Sequence, residues 1–248
     1  MIASIPAFSD KLNAYIDLIK SETSMPIEIV QVATVGLGGM SFAYAHDDSR
    51  IPVHIVLPYG GSADSFEQSI AHELTHGLME HARAYCYLRF VRKVEPIEQI
   101  SINLASTLVE DIPVNRTIQQ NGFSPYSDGY LTMVEKETIA ALKRDTAMYH
   151  NVGNDPKVIR RFLTYRYALG KTYLQYFDLE EEAIRILQEF LLAFENAYQK
   201  IAFGAKEVCR YFEESDPFSS EGHRRILENI LRLWKLCDLV TYHYRKER

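Results

Sequence analysis

The sequence predicts an α+β fold: a small, mostly antiparallel sheet near the start of the chain, then a largely α-helical C-terminal half. Three observations predict it. Short β-branched runs separated by turn residues fill positions 27–59. The texture changes to helical spacing after Gly60-Gly61. Five further helical stretches then follow, divided by asparagine, glycine and proline breaks.

Residues 7–22 read as a first helix. Residues 27–32 (IEIVQV) form an apolar, β-branched strand, and Gly36, Gly38 and Gly39 mark a turn. Residues 41–46 (SFAYAH) alternate as a second strand, and 47–50 (DDSR) make a second turn. Residues 51–57 (IPVHIVL) form a third strand, closed by Pro58 and the glycine pair. Pro52 suits a strand start or an edge strand, because it has no N–H to give a ladder. Ser62, Asp64 or Ser65 caps a helix running to about Arg92. Further helices are expected near 97–121, 133–149, 155–176, 178–203 and 219–244. The organisation this suggests is a catalytic core over 1–121 and a helical region over 122–248 packing on it, the boundary being soft enough for the two to count as one domain.

Composition narrows the function classes. Hydrophobic residues make up 47% of 248, enough for a full core. A formal net charge of −6 argues against a general nucleic-acid binder. The basic groups Arg160-Arg161 and Arg245, Lys246, Arg248 are short and read as solvated surface. Three cysteines, Cys86, Cys209 and Cys237, form no CxxC pair and point to a reducing compartment. With no leader pattern and no apolar run of about 18 residues, the expected location is the cytoplasm, with no membrane partner. Residues 36–39 (GLGG) lack the context of a nucleotide-binding loop and are read as a turn.

The chemistry is carried by residues 71–77 (AHELTHG), which contain HExxH. Residues four apart share a helix face, so His72 and His76 can offer two imidazoles to one ion. Zinc takes imidazole nitrogen at about 2.0–2.1 Å. Glu73, one position after the first histidine, is placed to take a proton from water as general base. Ile70, Leu74 and Leu78 supply the apolar face of this helix. In these residues, with a strand directly before the helix, the chain resembles the zincin metallopeptidases over roughly residues 27–121. The resemblance implies a cleft rimmed by an edge strand that binds extended peptide, one zinc per chain, and hydrolysis of a peptide or protein substrate.

A catalytic zinc keeps three protein ligands. The extended HExxHxxGxxH pattern does not continue here: Gly77 follows His76 directly, position 82 is alanine, and His81 stands one place early. The gluzincin-like subgroup instead implies an acidic ligand from a later helix, for which residues 104–115 (LASTLVEDIPVN) offer Glu110 or Asp111. Glu110 is the subgroup's usual residue type. Asp111 is followed four residues later by Asn115, where the subgroup commonly has an Asp that orients a motif histidine. Both remain open, with the unused carboxylate expected to support a ligand histidine. An oxyanion donor is expected among Tyr126, Tyr130, Tyr149, His150, Tyr165 and His223, and His54 on the third strand would face substrate or solvent. The alternative to a peptidase is a non-catalytic zinc-binding regulatory or partner-binding protein that retains the zincin fold.

Overall fold

A computed structural model of the protein describes residues 7–33, 42–45, 47, 49–82, 86–152 and 154–244. The expected glycine turn at 36–39, Ser41, His46 and the basic tail lie outside these residues. The fold is mixed α+β, dominated by helices. Among the described residues no helix is long and apolar enough to cross a membrane.

The chain divides into two compact units, one made of Met1–Ala84 and Val114–Asp128, the other of Tyr85–Pro113 and Gly129–Lys246. The expected cut at 121/122 lies near the last of these crossings, but 85–113 belongs with the C-terminal helices.

In the first unit, helix α1 (Asp10–Thr23) starts at Ser9, whose hydroxyl accepts from the Leu12 N–H, and ends on Ser24 in the left-handed region. Strands β1 (Ile27–Gln31), β2 (Phe42–Tyr44) and β3 (Ile51–Ile55) form one sheet in the order β1-β3-β2. Two expectations are corrected here. The sheet is mixed, because β1 runs parallel to β3 while β2 is antiparallel to it. The strand at 51–57 is central, not at the edge. Pro52 is tolerated there because it sits on the β2 side beyond the last β2 residue: its carbonyl accepts from the Ala45 N–H at 3.2 Å, and only the return bond is missing. The edge strands are β1 and β2.

Helix α2 (Ala63–His81) begins with Ser62 accepting from the Ser65 N–H. It stops at His81, about ten residues short of the expected end. Its buried residues Phe66, Ile70, Leu74 and Leu78 recur at helical spacing and join Ile51, Val53 and Ile55 of β3 with Leu12, Ile16 and Ile19 of α1 in one core. Burying the opposite face forces His72, Glu73 and His76 to the half-buried side.

Gly77 allows the close approach of α2 to the sheet. A Cβ there would press into the Ile51 Cγ2 methyl, well inside van der Waals contact, and would stand 3.2 Å from Tyr44 Cε2. Ile51 is fully buried and has no room to yield. Gly77→Val is therefore expected to destabilise the protein by about 2–3 kcal/mol through overpacking, with almost no gain in helix propensity to offset it. A fall in Tm checks this; an unchanged Tm would show that the helix can withdraw from the sheet at no cost.

In the second unit, strand β4 (Tyr87–Phe90) pairs antiparallel with β5 (Val240–His243), where helix was expected. Helix α3 (Pro96–Gln120) is continuous across the crossing at Pro113 and carries its last turns into the first unit. Helices α4 (Tyr130–Leu142), α5 (Pro156–Tyr176), α6 (Glu181–Ala197), α7 (Gln199–Glu214) and α8 (Ser220–Leu233) complete it. The single helix expected over 178–203 is two, broken at Tyr198, which has non-helical backbone angles and caps both ends.

Candidate metal centre

The first unit supplies most of the site by itself. His72 and His76 are successive turns of α2, and their Nε2 atoms converge to 3.1 Å with the rings at 73°. The core face of α2 fixes this. Leu74 and Thr75 are buried, and the Thr75 hydroxyl donates to the Ala71 carbonyl at 2.6 Å while accepting from the Tyr15 hydroxyl at 2.7 Å. The helix cannot rotate without breaking that relay.

From the last turns of α3, buried Asn115 meets the first histidine: His72 Nδ1–H donates to Asn115 Oδ1 at 2.9 Å. An amide oxygen only accepts, so the bond holds the proton on Nδ1 and leaves the Nε2 lone pair facing His76. Asn115 thus does by amide oxygen what a carboxylate would do in that place.

One helical turn earlier on the same α3 is Asp111. A carboxylate oxygen of Asp111 and the ring nitrogens of His72 and His76 all lie within 4.8 Å of one another, the only such group of metal-ligating side chains among the described residues. Glu110, next to it, is directed elsewhere: its carboxylate accepts from the Ser106 hydroxyl, and its charge, after burial itself, raises the affinity of the Cys86 thiol for its proton. Adjacent helix residues are about 100° apart, so only one of the two can face α2.

Glu73 reaches the other way. Its Oε2 accepts from the backbone N–H of Tyr44 at 2.6 Å. Tyr44 pairs with Val53 at a position of β2 where peptide groups point away from β3. The carboxylate is thereby held against the outer side of β2. This main-chain donor is the one site group that no side-chain pattern could have signalled; the alternation of 41–46 is its only trace in the sequence.

The remaining candidates separate by environment. Around Asp111 in the second unit, Tyr165 on α5 is held strongly toward its protonated form, first by burial and then by the Asp111 charge. Tyr130 is buried under the Arg166 guanidinium, which lies 5.3 Å from its ring centroid. Tyr149 is buried with its hydroxyl lacking a hydrogen-bond partner. Burial pushes His223 down to about 3, so it stays neutral at ordinary pH. Tyr126 and His54 are half-buried and His150 is exposed, while His81 ends α2 outside the His72, His76, Asp111 group.

The donor set suits zinc. Two ligands on a tetrahedral zinc at 2.0–2.1 Å are about 3.3 Å apart, close to the observed histidine spacing of 3.1 Å. Two neutral imidazoles and one carboxylate make the borderline-hard set that zinc favours. The acidic arm is the looser one.

Compared with known proteins, the chain matches no family model, no curated protein and no solved structure.

Proposed function

We propose that the protein is a zinc-dependent metallopeptidase with a zincin-like core, its metal held by His72, His76 and Asp111. The observation that carries this reading is the convergence of His72 Nε2 on His76 Nε2, with the His72 tautomer fixed by Asn115. A structural zinc site would close its fourth position with a protein group; here three ligands converge, and a carboxylate that is not one of them, Glu73, stands next to the first.

Zinc held by these side chains supplies Lewis acidity that polarises a carbonyl and makes water acidic enough to lose a proton near neutral pH. Glu73 takes that proton as the water oxygen adds to the scissile carbonyl carbon, and returns it to the leaving amine as the C–N bond breaks. Tyr165 keeps its proton and is the donor we assign to the developing oxyanion. β2 is an outer strand of its sheet, and its side touched by Glu73 is the surface on which we place an extended peptide substrate.

The test is metal content and peptide cleavage measured together. Wild type, purified without added metal and then given zinc, should hold about one zinc per chain. Asp111→Ala should lose it, Glu110→Ala should keep it, and Asn115→Leu should weaken binding by about 10–100-fold. Zinc binding without cleavage of any member of a peptide library would favour the second reading, a zinc-holding partner-binding protein. Absence of binding in wild type would end both.

A further inference from the structure

Away from the metal ligands, the second unit contains a cleft of about 440 Å³ where the first turns of α5 and α7 meet the end of α8. That volume is typical of small-molecule sites. Its wall carries Lys157, Arg160, Lys200 and Lys235. The chain has a net charge of −6, and four of its helix arginines are matched with glutamates three or four residues away: Arg185 with Glu182 and Glu189, Arg210 with Glu207 and Glu214, Arg225 with Glu221, Arg232 with Glu228. The four cleft cations have no carboxylate within ion-pair distance among the described residues. Concentrating unmatched positive charge in one concavity of an acidic protein is costly unless an anion enters it.

The inner part of the cleft is built differently. Arg161 is held by neutral acceptors, donating to Ser101 Oγ at 2.7 Å and to the Trp234 carbonyl at 2.8 Å, so its charge stays available to the cleft, tempered by Asp155 and Glu98. Asp155 is occupied in capping α5, accepting from the Lys157 and Val158 N–H groups. The first turn of α7 has no side-chain cap, which leaves its positive end uncompensated beside Lys200. Exposed Leu233 and half-buried Ile201 supply an apolar surface, backed by buried Trp234 with the Arg161 guanidinium over its ring at 5.9 Å. Gly204 keeps the space open: a Cβ there would meet nothing within 4 Å. The sequence reading of Arg160-Arg161 as solvated surface does not anticipate this, because the cations come from α5, α7 and the turn after α8.

We propose that this cleft binds a phosphorylated small molecule whose apolar or planar body packs on Leu233 and Ile201 while its phosphates meet Arg160 and Lys200, a nucleoside diphosphate being the simplest member of that class. It is independent of the metal site, and its test does not use peptide hydrolysis.

Calorimetric titration of the full chain with ADP, pyrophosphate and adenosine, at fixed moderate salt, decides it. ADP should bind at one site, at least about tenfold more tightly than pyrophosphate or adenosine alone. The double variant Arg160→Ala, Lys200→Ala should weaken ADP by about tenfold or more. Gly204→Leu, which fills the cleft and favours the helix, should do the same while raising or preserving Tm, so a folding defect cannot imitate the result. No ADP binding at millimolar concentration, pyrophosphate binding as tight as ADP, or ADP affinity unchanged in both variants would each overturn the proposal.

Discussion

Glu73→Gln is expected to lower the rate of peptide cleavage by about 10²–10⁴-fold while leaving zinc in place. The separation of the two effects follows from the geometry. Glu73 is not among the groups that converge on the metal position. Its Oε2 accepts the Tyr44 N–H, and a glutamine oxygen can go on accepting that bond, so the side chain keeps its place. What disappears is the ability to take up a proton. Metal content measured beside the cleavage rate distinguishes this from a folding or ligand defect. A Glu73→Gln protein with undiminished zinc-dependent cleavage would remove the base from the mechanism, and loss of zinc together with activity would show that Glu73 acts as a ligand.

The second large effect concerns a buried ion pair in the second unit. Arg166 on α5 and Glu137 on α4 have side chains only 4% and 2% exposed. The guanidinium Nε donates to both carboxylate oxygens, at 2.8 and 3.0 Å, and a terminal nitrogen donates at 2.7 Å. Burial works against the charged guanidinium, but the carboxylate beside it more than compensates, so Arg166 holds its proton more firmly than in water. Glu137→Gln removes the countercharge and leaves the cation buried. The expected cost is about 3–5 kcal/mol, a large part of the total stability of an ordinary domain, and a Tm lower by roughly 10 °C or more. Replacing both partners, Glu137→Leu with Arg166→Met, should cost less than either single change, because no charge is then stranded. Thermal unfolding of the three variants checks this; a mild Glu137→Gln phenotype would mean that water reaches Arg166. Since Tyr165 precedes Arg166 on α5, the same variant should also disturb the oxyanion donor we assign.

What the sequence revealed depended on how far apart the interacting residues are. His72, Glu73 and His76 were legible because a helix sets their relation within five residues, and the cap among Ser62, Asp64 and Ser65 and the Ile70, Leu74 and Leu78 stripe were local in the same way. Strands β4 and β5 were not: residues 87–90 (YLRF) and 240–243 (VTYH) become strands by pairing with each other across about 150 residues, and no turn chemistry joins them. The central position of β3 was hidden for a related reason. Pro52 looks like an edge signal, yet it avoids a penalty only because β2 ends beside it. The choice between Glu110 and Asp111 needed the rotation of α3 about its axis. Buried Ile112 and Asn115 set that rotation, and the sequence shows it only as a pattern with two fits.

The course of α3 has a consequence for how this chain can be divided or inherited. The helix begins among the C-terminal helices and ends against α1 and α2, with Asp111 before the crossing and Asn115 after it. A fragment ending at residue 121 would keep every residue we assign to the metal. It would also strip the cover from Ile102, Ala105, Leu108 and Val109, all buried in the whole chain, leaving a sticky apolar helix as the mounting of the acidic ligand. The site is therefore not a cassette that can be excised, grafted or released by a single cut. His72 and His76 belong to one unit and Asp111 to the other, so a cut within α3 is expected to abolish the metal binding we propose.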